Sequence, residues 1–209
     1  MADGTTTICE GTLSLRERHR QAQEEAILAA AHTLIVEKGF EATTMDDIAA
    51  RANISKPTLY ARFPSKEAIV VRTIVALQQE GLAFMRTLPA DLTPAERLRT
   101  ILHYLFTRKL VIKRGTFGAQ RVALIPQIRS HPEYQKHAAE IITMLVAIIT
   151  EGQQEGSFLP ELSARLAAQT MFSFMRDTEI DELIASGVVT AENTFKTLTE
   201  IILRGIETR

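Results

Sequence analysis

Between Thr44 and Lys66 the chain carries helix-starting and helix-stopping residues so closely spaced that only short helices fit between them. Thr44 is a good N-cap, and Asp47 three residues on completes a capping box with Asp in the place of Glu. Ile48, Ala49 and Ala52 then give a small apolar face that a second helix can cross closely. Asn53 tolerates the left-handed conformation that a three-residue turn requires. Ile54 fills the corner, Ser55 caps the next helix, and Pro57 sits where a first-turn N–H has no intrahelical partner. Leu59 and Phe63, four apart, face inward, which leaves Lys56, Thr58, Tyr60, Ala61 and Arg62 outward or on the flanks. The stretch reads as a helix-turn-helix whose second helix offers polar and aromatic groups to a major groove.

An ordered set of residues in register across three helices resembles the DNA-binding half of the TetR family of bacterial transcriptional regulators: Gly39-Phe40, Thr43-Thr44, Asp47-Ile48-Ala49, Ala52, Ile54-Ser55, Thr58-Leu59-Tyr60, Phe63 and Ser65-Lys66-Glu67. The resemblance spans roughly residues 20–70. It implies that the second helix enters the major groove with Lys56, Pro57, Thr58 and Arg62 near base edges. Lys56 and Arg62 suit guanine O6 and N7, and Pro57 and Ala61 suit a thymine methyl. It also implies that Tyr60, Lys66 and Thr44 meet phosphates. For Lys66 there is a separate physical case, since a cation in the first turn of a helix opposes the macrodipole and an intervening phosphate relieves the conflict. Two positions depart from the family pattern. Asn53 replaces the usual Gly, and Ala61 stands where many members carry a larger polar or aromatic residue. Sequence preference is therefore expected to rest on Lys56, Thr58 and Arg62.

The rest of the chain punctuates into helices as well. Residues 1–13 lack periodicity and are expected to be a disordered tail. Ser14 and Glu17 form a capping box for a first helix whose apolar residues Ala26, Ile27, Ala30, Leu34 and Ile35 recur at three- and four-residue steps, ending at Gly39. Arg16, Arg18, His19 and Arg20 crowd its start. They read either as a solvated face, with Arg20 paired to Glu24, or as an arm that meets DNA. Ser65 caps a long helix to about Arg86 or Leu88. Thr93-Pro94 starts another, a shorter one runs to about Arg129, and Ser130-His131-Pro132 opens a long one that stops near Glu151–Gly156. Ser163 caps the next, and Gly187 and Thr190 set off the last. The expectation is an all-α chain of about nine helices: a three-helix DNA-binding domain over 14–70 and a larger C-terminal domain for ligand binding and dimerisation over 71–209.

In that C-terminal half, Met171, Phe172, Phe174, Met175, Leu198, Ile201, Ile202 and Leu203 make the last two helices apolar on more than one side. A homodimer through those helices supplies the cover. A candidate effector pocket draws on Phe84, His103, Phe106, Phe117, Arg121, Met144, Phe172 and Arg176. Its Met and Phe lining suits a small, largely apolar effector.

A formal net charge of −1 excludes a bulk polycation, so contact with a double-stranded DNA operator must come from local placement of Lys and Arg. Cys9 is the lone cysteine, which fits a reducing cytoplasm. The first 13 residues lack the basic start and apolar core of a signal peptide. The longest apolar stretch is far short of the ~20 residues that cross a membrane. The sequence carries no His-Glu-x-x-His, no phosphate-cradling Gly-rich loop and no G-x-S-x-G. Glu133 and His137 lack the second Glu-x-x-His pair that di-iron bundles use. No catalytic residue, metal ligand or cofactor is therefore expected, and the resemblance implies a ligand-responsive repressor rather than an enzyme. The competing reading is a helical bundle that binds protein or a small molecule without DNA.

Overall fold

The computed structural model describes residues 14–113, 118–174 and 179–208. Within these ranges the side chains of 109–113, 118–123, 181 and 185 fall outside the description. The tail at 1–13 and the expected pocket residues Phe117, Arg121 and Arg176 also lie outside it.

The described residues form ten α-helices: α1 (Leu15–Lys38), α2 (Met45–Arg51), α3 (Lys56–Tyr60), α4 (Lys66–Arg86), α5 (Pro94–Lys113), α6 (Gly118–Ser130), α7 (Pro132–Gln154), α8 (Ala164–Phe174), α9 (Glu179–Ala185) and α10 (Ala191–Arg204). The count exceeds the expected nine by α9, a short helix that the acidic run at 179–182 hid inside the span of α8. Seven of these helices, α1 to α5, α8 and α10, begin where a capping side chain satisfies first-turn donors. Ser14 and Glu17 make the reciprocal box on α1, with Ser14 N donating to Glu17 Oε2 at 2.9 Å. Thr44 with Asp47 does the same on α2, and Thr93 with Glu96 on α5. The hydroxyls of Ser55, Ser65, Ser163 and Thr190 accept from the backbone N–H three residues on. Gly39, at φ 86°, closes α1 in the left-handed region, and Asn53, at φ 53°, does so in the α2–α3 turn.

Three apolar cores run along the molecule, and α4 passes through all of them. The first joins α1, α2 and α3 to the start of α4 through Ile27, Ala31, Leu34, Ile48, Ala49, Leu59, Phe63 and Ile69. The second is a junction in which Ile35, Phe40, Val70, Val71 and Val75 meet Leu124 and Ile128 of α6 and Tyr134 of α7. The third, and largest, packs Leu82 and Met85 with α5, α7, α8 and α10. By length and composition α4 matches a membrane span, but its apolar side chains are spent on these cores, with Val70, Val71, Val75, Leu82 and Met85 all buried. Arg72 straddles the junction, pairing with Glu24 of α1 and, at 2.5 Å, with Glu133 of α7.

The C-terminal end is locked by one close approach. Phe158, fully buried, lies against Gly152 of α7, where any Cβ would meet its ring at 2.3 Å. The same segment pairs with the chain end, Leu159 N donating to Ile206 O at 2.7 Å.

Candidate nucleic-acid interface

A five-residue helix is far too short to persist alone in water. α3 is held by its Ser55 cap, by the Asn53 turn and by Leu59 and Phe63, which are 0% and 7% exposed in the first core. The opposite face presents Lys56, Pro57, Tyr60 and Ala61 to solvent, with Tyr60 51% exposed. The sequence expectation of an outward-facing second helix matches this arrangement.

What the structure adds is the partner that most of these side chains already have. Lys56 Nζ lies 2.5 Å from Asp46 Oδ2 on α2. Thr58 Oγ1 lies 2.7 Å from Ser55 Oγ, inside the cap of its own helix. Arg62 Nη1 donates to Arg20 O at 3.2 Å, tying the end of α3 to α1. At the start of α2, Thr44 N and Oγ1 both donate to Asp47 Oδ2, at 2.9 and 2.6 Å, and Lys38 Nζ reaches the same oxygen at 2.6 Å. The Lys38 ammonium first, and then the Thr44 hydroxyl and N–H, hold the Asp47 carboxyl well below the usual carboxylate range. The N-terminus of α2 thus already holds an anion belonging to the chain.

For Lys66 the structure removes the physical argument that called for a phosphate. Its ammonium donates to the carbonyls of Phe40 at 2.7 Å, Thr43 at 3.2 Å and Glu41 at 3.4 Å, and it sits 4.2 Å from the centre of the Phe40 ring. These carbonyls offset the unfavourable helix dipole. Lys66 bolts the α1–α2 connection onto the start of α4. The helix dipole is a local property that sequence reveals, whereas the three carbonyls come from residues 23 to 26 positions away.

The basic residues at the start of α1 are on a helix that outruns its domain. Residues 15–22 are all exposed, and the first buried side chain is Ile27. The twelve residues before it extend about 18 Å, at 1.5 Å per residue. Arg16, Arg18 and Arg20 are carried on that projecting rod. Glu24, the expected partner of Arg20, pairs with Arg72 instead.

In the larger core, a narrow apolar cleft with room for no more than about one water molecule lies between α5, α8 and α10, lined by Leu102, Phe106, Phe174, Phe195, Leu198, Thr199 and Ile202. Of the expected pocket residues it gathers Phe106. His103 stands beside it, edge-on to Phe195 with ring centres 4.9 Å apart. Phe84 stacks on Tyr104 at 3.8 Å, while Phe172 and Met144 belong to the core. Phe195, Leu198 and Thr199 escaped the pocket reading because they sit on a helix whose periodicity served equally well for core or dimer. Of the apolar residues expected to need a partner chain, Met171, Phe172, Ile202 and Leu203 are buried within the chain, and Met175 lies outside the described residues. Ile201, 59% exposed, keeps its open face, joined by Leu166, Leu183 and Val188 on α8, α9 and the turn after it. Among the described residues, no cluster of His, Cys, Asp or Glu is arranged to hold a metal.

Residues 27–73 match the family described as bacterial regulatory proteins, tetR family. The chain is 29% identical over 194 residues to the HTH-type transcriptional regulator EthR of Mycolicibacterium smegmatis, covering 88% of this chain and 86% of that one. It is 27% identical over 195 residues to the HTH-type transcriptional repressor KstR2 of the same organism, covering 88% and 91%. Its fold is similar to that of the fatty acid degradation regulator FadR from Bacillus halodurans, with a TM-score of 0.69 at 19% identity, over 90% of this chain and 97% of the other.

Proposed function

We propose that the chain is a member of the tetR family of bacterial regulatory proteins and a ligand-responsive, DNA-binding transcriptional regulator, a cytoplasmic repressor reading a near-palindromic operator as a homodimer. The observation that carries this reading is α3. It is a short helix with one face buried through Leu59 and Phe63 and the other bearing Lys56, Pro57, Thr58, Tyr60 and Ala61. Tyr60 is assigned to a phosphate, Lys56 and Thr58 to base edges, and Pro57 and Ala61 to apolar contact with a thymine methyl. Arg62, through its hold on Arg20, sets the angle of the projecting rod. Arg16, Arg18 and Arg20 then run along flanking phosphates, since a helix cannot thread a narrow minor groove as an extended arm can. Repression agrees with the name carried by the KstR2 relative.

One such helix makes few contacts, so a two-fold pair is proposed, with Ile201 and Leu166 on the covered face of α10 and α8. The residues 14–70 are assigned to the DNA-reading domain and 71–209 to the regulatory one. The effector is proposed to be small and largely apolar, entering between Leu102, Phe106, Phe174, Phe195, Leu198 and Ile202. The cleft admits no more than about one water molecule, far less than typical ligand sites, so occupancy must push α10 or α8 outward. Movement there alters the proposed dimer face, and differential affinity for two dimer spacings is what shifts an operator-binding equilibrium.

Selection of bound sequences from random duplexes tests the reading. Two related half-sites about 34–36 Å apart, or a multiple of that distance, are expected. Recovery of no preferred sequence, or of a single half-site without symmetry, overturns it.

A further inference from the structure

The DNA-reading face is electrically balanced. Residues 14–70 carry eight Lys and Arg against eight Asp and Glu. Within this set Asp46 stands apart, because it takes no part in the capping box that Asp47 completes. Its carboxylate lies 2.5 Å from Lys56, and both side chains are more than half exposed, at 56% and 61%. The crossing of α2 and α3 does not depend on this pair, since Ile48, Ala49 and Leu59 are buried beneath it. Beyond the favourable charge that Asp46 adds to the first turn of α2, the pair has no duty in the crossing, and it occupies the leading cation of the helix that reads DNA.

We infer that Asp46 is a specificity-determining residue that withholds Lys56 from non-cognate DNA. This rests on the DNA-reading role assigned to α3. A free lysine at that position neutralises any phosphate it meets, which adds affinity for every sequence alike. With Asp46 in place, DNA must replace a charge-assisted hydrogen bond before it gains Lys56. A guanine in register offers two acceptors, O6 and N7, at one place and makes that exchange favourable. A phosphate met out of register offers less, so Lys56 stays on Asp46. Exposure of the pair to water keeps the exchange shallow enough to be reversible.

The test uses the full chain, a duplex chosen by selection from random DNA, and a shuffled duplex of the same composition. Binding is followed by fluorescence anisotropy over a series of salt concentrations. Asp46→Asn is expected to tighten shuffled-duplex binding by between about twofold and thirtyfold for the two protomers together, the span for releasing two exposed ion pairs. It is expected to steepen the salt dependence by about 0.9 per protomer in log–log slope. The selected duplex gains less, so discrimination falls. Asp46→Glu, which keeps a carboxylate, is expected to restore wild-type discrimination. In a Lys56→Ala background the Asp46→Asn effect is expected to vanish. Persistence of the effect without Lys56, or an equal gain on both duplexes, overturns the inference while leaving the regulator reading intact. Failure of the wild-type chain to bind any duplex overturns both.

Discussion

The two ends of α4 sit in regions built by different means. Around Ile69, the end proposed to read DNA sets helices of seven and five residues against the 24-residue α1, the two short ones fixed by caps, a left-handed turn and short polar ties to neighbours. Around Leu82 and Met85, the regulatory end is built from helices of up to 23 residues packed on apolar side chains, with a small cavity left between α5, α8 and α10. Short helices do not persist without directional contacts, so the reading end is held to one geometry. Long helices packed on apolar surface can slide and repack at modest cost, which suits a region proposed to answer a ligand.

The largest effects should separate the two ends by core truncation. Leu59→Ala is expected to cost about 2–5 kcal/mol and Phe158→Ala about 3–5 kcal/mol by chemical denaturation. Leu59→Ala should abolish operator binding while leaving most of the helical signal of α5, α7, α8 and α10 at its normal midpoint. A single shared transition for both variants would show that the junction core makes the ends one cooperative unit. Salt should divide them almost as sharply. If about six phosphates are neutralised per dimer, operator affinity falls on the order of a thousandfold between 50 and 200 mM salt. Binding of an apolar probe to the cavity over the same range should barely change, and a parallel loss would place charge in the pocket.

Acid should act first on the reading end. Glu17, Asp47 and Glu67 there, against Glu96 in the regulatory end, have carboxyls held below their ordinary range, chiefly by hydrogen bonds from Ser14, Lys38, Ser65 and Thr93 respectively. A carboxyl lowered in the folded state contributes stability above its unfolded value, near 4, and loses it as pH falls toward the folded value. Hydrogen exchange is thus expected to show α1–α3 loosening below about pH 4 before α7 does. Asp47→Asn should flatten that dependence.

A smaller effect tests the assigned phosphate contact. Tyr60→Phe is expected to weaken selected and shuffled duplexes alike by about tenfold per protomer, the loss of a hydrogen bond to a charged group. A change in preferred sequence would move Tyr60 into the groove. The smallest effect belongs to the boundary. Glu133→Gln frees one arm of Arg72, and for a half-exposed pair the expected cost is about 1 kcal/mol or less. A thermal shift as large as that of Leu59→Ala would mean that charge, more than Val70, Val71 and Val75, joins the two ends.

Helices other than α9, with their caps and turns, were legible from residues alone, because each depends on neighbours within about four positions. Ser14 with Glu17, Thr44 with Asp47, Ser55, Ser65 and Asn53 all act as their local chemistry implies. The outward set on α3 followed from the inward positions of Leu59 and Phe63. The partners of that outward set did not follow, because they come from distant parts of the chain. Asp46 is ten residues from Lys56, Phe40 is 26 from Lys66, and Arg20 is 42 from Arg62. The same holds for the cavity, whose walls come from three helices that periodicity alone cannot bring together. Sequence by itself determined an all-α chain with a helix-turn-helix and the identity of the side chains on the outward face of its second helix. Only tertiary structure decided which of those side chains are free, since the carboxylate on Lys56 and the backbone carbonyls on Arg62 and Lys66 reach them through space and not along the helix.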